Sequence, residues 1–282
     1  MVRAQAAGRS SGGGGGTAAE AAALFTIREA GPHQPDAGQD PILYVHTLCP
    51  YAERAWLALL EKQVPFQLVH VDLSNKPAWF RRVNPRGLVP AVQHGGQVQV
   101  ESADICRFVD DAFPGPRLVP DDSQLAQEME QLIRGPCGGA VSAGLDLCAG
   151  RGRHWGIGSG QSARQRADFE AQLEQLAASL RRHGGPFLLG QQPTLADILV
   201  YPFVKRFAVA APLTGYNVEA ALGGAIGGWL AAMDARPSCR ATAADSQLLL
   251  AALRKHRSLD FFDYDTYTAC ELHPQNAHLL QQ

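Results

Sequence analysis

Cys49 stands in Cys49-Pro50-Tyr51-Ala52, directly after the apolar run Ile42-Leu43-Tyr44-Val45 and directly before residues with helical spacing. A cysteine there meets the unpaired N–H groups and the positive dipole end of a helix's first turn, and both favour a thiolate over a thiol. Such a setting lowers a cysteine from a pKa of ~8.5 to roughly 3.5–7.5. Pro50 suits the first helical position, where its missing N–H is no loss. Three residues after Cys49, where a dithiol oxidoreductase keeps its second cysteine, stands Ala52. The arrangement is that of a monothiol nucleophile that draws its resolving thiol from solution. The competing reading is a buried structural cysteine, because free cysteine is among the most buried residue types.

The remaining cysteines stand at 106, 137, 148, 239 and 270, with no Cys-x-x-Cys pair among them. A chain of 282 residues has no need of disulfide staples, so this usage points to free thiols in a reducing compartment. Cys137 or Cys148 is conceivable as a resolving thiol, but nothing in their spacing favours that over burial. His273 and His278 lie close together with no cysteine or carboxylate at ligand spacing, and no metal site is expected. A net charge of −2 offers no basic surface, which argues against nucleic acid and anionic membranes as partners. No apolar stretch reaches the ~20 residues needed to span a bilayer, so a soluble protein is expected.

The elements that must position Cys49 follow from periodicity. Ile42–His46 reads as a buried strand, and Ala52, Ala55, Trp56, Leu59 and Leu60 recur at helical spacing. Phe66–Val71 is a second strand, and Pro77 opens a short helix through Trp79 and Phe80. Ala91-Val92 and Val98–Val100 flank His94-Gly95-Gly96-Gln97, a hairpin signal, and Ile105, Phe108, Val109 and Ala112 line one helical face. The order βαβ then αββα predicts a small mixed sheet over residues 41–113. Prolines at 114, 116 and 120 mark a linker over 114–122. An all-α domain is expected over 123–255, where Phe169, Leu173, Leu176 and Leu180 share a face. Thr194 and Asp197 form an N-cap with a reaching acid before an apolar helix, which makes them folding determinants. Residues 256–282 read as a tail.

Residues 1–40 are Gly/Ala-rich and read as a disordered extension or, since the first nineteen carry Arg and Ser but no acid, as a transit segment. The cytoplasm is the expected compartment for the first reading, a chloroplast or other organelle for the second. The glycine-rich stretch 149–162 follows no strand and lacks the context of a phosphate loop, so it reads as an interhelical connection.

A thioredoxin-like α/β domain carrying this cysteine, followed by an all-α domain, resembles the cytosolic glutathione transferases. The motifs sharpen the likeness: Cys49-Pro50-Tyr51-Ala52-Glu53-Arg54, Asn75-Lys76-Pro77-Ala78-Trp79-Phe80, Asn84-Pro85-Arg86-Gly87-Leu88-Val89-Pro90, Glu101-Ser102-Ala103 and Phe113-Pro114-Gly115-Pro116. They are similar to the omega class, and in part to the plant lambda class and the dehydroascorbate reductases. The likeness covers residues 41–122 closely and 186–210 more loosely, and departs from the omega pattern at Gly135-Pro136-Cys137-Gly138-Gly139. It implies that Cys49 forms a mixed disulfide with glutathione, the co-substrate. It further implies a cis Val89–Pro90 turn whose Val89 backbone pairs with the cysteinyl part, Glu101 and Ser102 on the γ-glutamyl end, and Lys76 near the glycyl carboxylate. A homodimer is the family's usual state.

The resemblance implies a glutathione-dependent thiol transferase acting on glutathionyl mixed disulfides or dehydroascorbate. One alternative is conjugation of glutathione to electrophiles, disfavoured because no Tyr or Ser occupies the Cys49 position. Another is non-catalytic carriage of an apolar ligand between the domains. A translation-factor-like scaffold is disfavoured, since it would need no Lys76, Val89, Glu101 and Ser102 together.

Overall fold

The computed structural model describes residues 17–36, 38–73, 75–149, 163–247 and 249–250. Thr17 caps a short helix α1 (Ala18–Ala22), its hydroxyl accepting from the Glu20 amide. The chain then enters β1 (Phe25–Glu29), β2 (Ile42–Val45), α2 (Pro50–Glu61), β3 (Phe66–His70), α3 (Phe80–Val83), β4 (Ala91–His94), β5 (Gln97–Val100) and α4 (Ser102–Ala112). These strands form one sheet in the order β1-β3-β2-β4-β5. The first three are parallel, and β4 and β5 join antiparallel. All four residues of the central β2 are buried, as expected of a strand covered on both faces. Helices α2 and α4 pack together, while Trp79 and Phe80 lay their rings against Tyr44 of β2.

The β1 strand corrects the expectation of an extension running to residue 40. Phe25 and Ile27 are buried while Thr26, Arg28 and Glu29 are exposed, the alternation of a strand with one face on the core. Phe25 stacks on Phe66 at 5.3 Å between ring centroids and meets Trp56 edge-on at 5.2 Å. The aromatic burial supplied by this neighbouring strand and helix holds β1 in place, and α1 packs on the far end of the chain's helical domain. The transit reading rests largely on residues 1–16, which lie outside the described residues. So do most of the glycine-rich stretch 149–162 and the whole tail expected over 256–282.

Between the domains, the buried Asp110 carboxylate pairs with Lys62 at 3.0 Å and accepts from the Leu118 and Val119 amides at 2.8 and 3.2 Å. The linker is thereby tied to α2 and α4. Gly115 adopts φ +125°, and a Cβ there would fall 2.3 Å from the Lys62 carbonyl oxygen, so only glycine fits.

The second domain is helical: α5 (Ser123–Leu132), α6 (Gly138–Ala149), α7 (Ala163–His183), α8 (Leu195–Val209), α9 (Ala211–Thr214), α10 (Ala225–Asp234) and α11 (Pro237–Thr242). The segment Gly135-Pro136-Cys137 departs from regular helix as a π-helical turn, Ile133–Cys137, which carries Pro136 between α5 and α6. Helix α8 runs through Pro202 as one element and packs on α2, forming the seam between the domains. A thioredoxin-like α/β domain followed by an all-α domain is thus the architecture.

Candidate active site

Sheet register gathers the motif residues at one end of the sheet. Tyr44 of β2 pairs with Ala91, and Ala91 pairs in turn with Val100. Continuing both ladders beyond the strands brings the His46–Cys49 turn, Val89-Pro90 and Glu101-Ser102 side by side. The Val89–Pro90 bond is cis. Asn84 braces the preceding turn, donating from Nδ2 to the Leu88 carbonyl at 2.7 Å and accepting from the Arg86 amide at 3.1 Å. No hydrogen-bond partner of the Val89 backbone occurs among the described residues.

Cys49 is the N-cap of α2, with Pro50 at the first helical position. The amides of Tyr51 and Ala52 and the charges of Arg206 and Arg54 all favour its thiolate. Burial nevertheless dominates: Cys49 is 0% exposed, and desolvation pushes its thiol above the ordinary value. The low pKa expected of Cys49 is therefore corrected for the free protein, and the burial named as the competing reading is observed. A helix terminus contributes about 0.3–1 kcal/mol, whereas full burial can shift a group by several pKa units, about 1.4 kcal/mol each.

The same turn is clamped from the helical domain. Arg206 of α8 donates from Nε and Nη2 to the Leu48 carbonyl at 3.3 and 3.0 Å, and pairs through Nη1 with Glu53 Oε2 at 2.5 Å. Arg206 and Glu53 are both buried, and Thr242 adds a 3.4 Å contact to the other Glu53 oxygen. Arg54 of α2 donates from Nε to the Leu199 carbonyl at 2.6 Å and from Nη1 to Ser102 Oγ at 3.2 Å. Neither arginine was singled out from sequence. The signal for Arg206 is a charge set between Phe203 and Phe207 on an apolar helix; Arg54 lies in a quoted motif without a role.

Ser102 opens α4 and is buried, and the preceding Glu101 has the strained backbone φ +65°, ψ 115°. The Glu101 carboxylate is exposed and hydrogen-bonds the Arg86 guanidinium. Lys76 is part-buried beside the turn, its Cδ 3.7 Å from where a Cβ of Gly87 would lie. Thr194 and Asp197 lie apart from this cluster at the start of α8. There the Asp197 carboxylate accepts from the Thr194 amide, the Thr194 hydroxyl, the Leu188 amide and the Trp229 indole at 2.9, 3.1, 2.9 and 2.9 Å.

Cys106, Cys137, Cys148 and Cys239 are free and buried; burial pushes Cys106 and Cys148 up to about 12 and raises Cys137 and Cys239 as well. As for Cys49, burial disfavours the thiolate form of each of them in the free protein. Cys270 lies outside the described residues. Among the described residues no cluster of His, Cys, Asp or Glu could hold a metal ion, and no helix is long and apolar enough to cross a membrane.

Comparison with known proteins joins these observations. Residues 48–112 match the glutathione S-transferase N-terminal domain and residues 159–241 the glutathione S-transferase C-terminal domain. Protein IN2-1 homolog B of rice (Oryza sativa subsp. indica) is 35% identical over 178 residues, covering 59% of this chain. The chain spans 65% of that relative's length. Glutathione S-transferase L3 of Arabidopsis thaliana is 32% identical over 197 residues, covering 66% of this chain and 78% of the relative. Among solved structures, glutathione transferase Omega 3C from Trametes versicolor superposes with a TM-score of 0.65 at 32% identity, over 76% of this chain and 92% of that one. With the helix-start cysteine, the cis-proline turn and both domains accounted for, the chain belongs to the glutathione S-transferase family.

Proposed function

We propose that the protein is a cysteine-type, omega- or lambda-like glutathione transferase that moves thiols through Cys49. The observation that carries this reading is the cysteine at the N-cap of α2, where a conjugating enzyme would present a hydroxyl. A hydroxyl can stabilise the glutathione thiolate, whereas a cysteine thiolate can itself attack a disulfide sulfur. In the first step the Cys49 thiolate attacks the glutathionyl sulfur of a mixed disulfide. The new Cys49–glutathione bond forms as the old S–S bond breaks, and the acceptor leaves as a thiolate that takes up a proton. A second glutathione thiolate then attacks the glutathionyl sulfur, releasing oxidised glutathione and regenerating Cys49. Dehydroascorbate is the small oxidised molecule we propose as an alternative acceptor, reduced at the expense of two glutathiones.

The residues around Cys49 fit glutathione in chemistry. The Val89 backbone, without a hydrogen-bond partner among the described residues, suits the cysteinyl peptide, Ser102 and the α4 amides suit a carboxylate, Glu101 suits an ammonium, and Lys76 suits the glycyl carboxylate. Because burial holds Cys49 as a neutral thiol in the free protein, the sulfur must be uncovered before it attacks. The test is glutathione-dependent reduction of a small glutathionyl mixed disulfide at neutral pH. We expect turnover in the full chain and none with Cys49→Ser. A wild-type chain that binds glutathione yet shows no such turnover overturns the reading and moves attention to conjugation.

A further inference from the structure

Between Asp72 and Glu101 the chain carries no acid, although acids outnumber Lys and Arg by 27 to 25 in the whole sequence. The same stretch carries Lys76, Arg81, Arg82 and Arg86. Helix α3 turns two of them outward. Phe80 and Val83, three residues apart, form its buried face, and Arg81 and Arg82 are exposed. The turn that follows brings the cations together. Gly87 adopts φ +65°, and a Cβ there would lie 3.7 Å from Lys76 Cδ and 3.8 Å from Arg81 Cζ. Both side chains thus flank one point, next in the chain to the exposed Arg86.

Among the described residues, Arg86 alone of the four has a carboxylate partner, Glu101. Arg81 donates from Nη1 to the Pro85 carbonyl at 3.4 Å, near the long limit of a hydrogen bond. The Asp72 carboxylate, the acid before the stretch, accepts from the Asn75 amide at 3.3 Å. Cations gathered in this way project a positive field over the surface beside them. Glutathione does not use it up. Its two carboxylates are matched by Lys76 and by the start of α4, which leaves Arg81 and Arg82 no acid of the tripeptide to bind.

The patch borders the thiol site. Gly87 precedes Val89 by two residues, at most about 7 Å of chain, and Val89 lies beside the His46–Cys49 turn. An extended peptide advances about 3.3 Å per residue, so side chains three to five positions from a cysteine seated at Cys49 reach about 10–17 Å from it. The partner must also bring a sulfur to Cys49, which a polypeptide does and a nucleic acid or a membrane surface does not.

We propose that Arg81 and Arg82 select the acceptor: the substrate is a polypeptide whose glutathionylated cysteine is flanked, three to five residues away, by Asp or Glu that dock on these two arginines. The inference rests on the thiol-transfer reading and names the substrate class for it.

The experiment compares three glutathionylated peptides, alike except for Glu, Gln or Lys at those flanking positions, with a glutathionyl–mercaptoethanol mixed disulfide as the small reference. The full chain is assayed at one fixed glutathione concentration. At low ionic strength the Glu peptide should exceed the Lys peptide about 10-fold or more in kcat/KM, and roughly 1 M salt should erase most of that ratio. In the double variant Arg81→Gln, Arg82→Gln the ratio should fall to about twofold, with turnover of the small reference unchanged. The double variant Arg81→Glu, Arg82→Glu should reverse the preference. A ratio that survives the double Gln variant would overturn the proposal. So would a wild-type chain that turns over the small reference without a flank preference, including one that tripolyphosphate inhibits, since the patch would then serve a free polyanion. A wild-type chain that binds glutathione but turns over neither the peptides nor the reference would overturn the thiol-transfer reading itself.

Discussion

Two buried helix starts in this molecule solve the same problem in opposite ways. At α8 the chain brings its own carboxylate: Asp197 is fully buried, and Leu188, Thr194 and Trp229 all donate to it. At α4 Ser102 is as buried as Thr194, both 7% exposed, but Glu101 and Asp104 are exposed and do not bond to it. Buried orphan donors are costly unless something pairs with them. A helix start closed by its own side chain belongs to folding; the α4 start, with Ser102 buried and Glu101 strained, is where we propose the carboxylate of glutathione to sit. Both would read from sequence as caps.

The sharpest way to break this contrast is Asp197→Ala. It strands the Leu188 and Thr194 amides and the Trp229 indole in the core, and should destabilise the chain by about 3–5 kcal/mol. Urea denaturation measures it, and a loss under about 1 kcal/mol would remove α8 as the structural half of the comparison.

A third helix start, that of α2, tests how far a terminus can act on a buried group. Because burial raises the Cys49 pKa, the thiolate fraction at neutral pH lies below that of a free cysteine. Alkylation of Cys49 in the free chain, followed by mass spectrometry, should therefore rise about tenfold per pH unit from pH 7 and not level off before the ordinary thiol value. A plateau below pH 7 would mean that the Tyr51 and Ala52 amides and the Arg206 charge prevail after all.

Ser102→Ala should weaken glutathione binding by about five- to tenfold and change stability by less than about 1 kcal/mol, the reverse of the Asp197 pattern. Equal losses in both quantities would make α4 a second structural cap. The smallest effect expected is that of Thr194→Ala, about 1 kcal/mol in stability with unaltered glutathione affinity. Any change in affinity there would tie α8's cap to the site.

Much of this frame is legible in the chain. Pro50 after Cys49, the turn glycines and the i, i+3, i+4 spacing of Ile105, Phe108 and Val109 report local geometry, and the elements form where they indicate. The β1 strand was hidden because five residues with two buried apolar positions carry little periodicity next to an alanine-rich stretch. Its stability comes from Phe66 and Trp56, which belong to other elements. Arg54 and Arg206 were hidden for a related reason. Their partners Leu199 and Leu48 stand 145 and 158 residues away, and no local pattern encodes a contact of that span.

The sequence by itself determined which residues occupy helix starts and turns, because capping, proline placement and helical spacing act within a few residues. It likewise placed a sulfur where a turn of amides favours its charge. Only the tertiary structure decided whether each start is satisfied by the chain or left with donors, and whether the thiol is ionised. Desolvation depends on everything packed around a group, and for Cys49 it outweighs the local terms that the sequence displays.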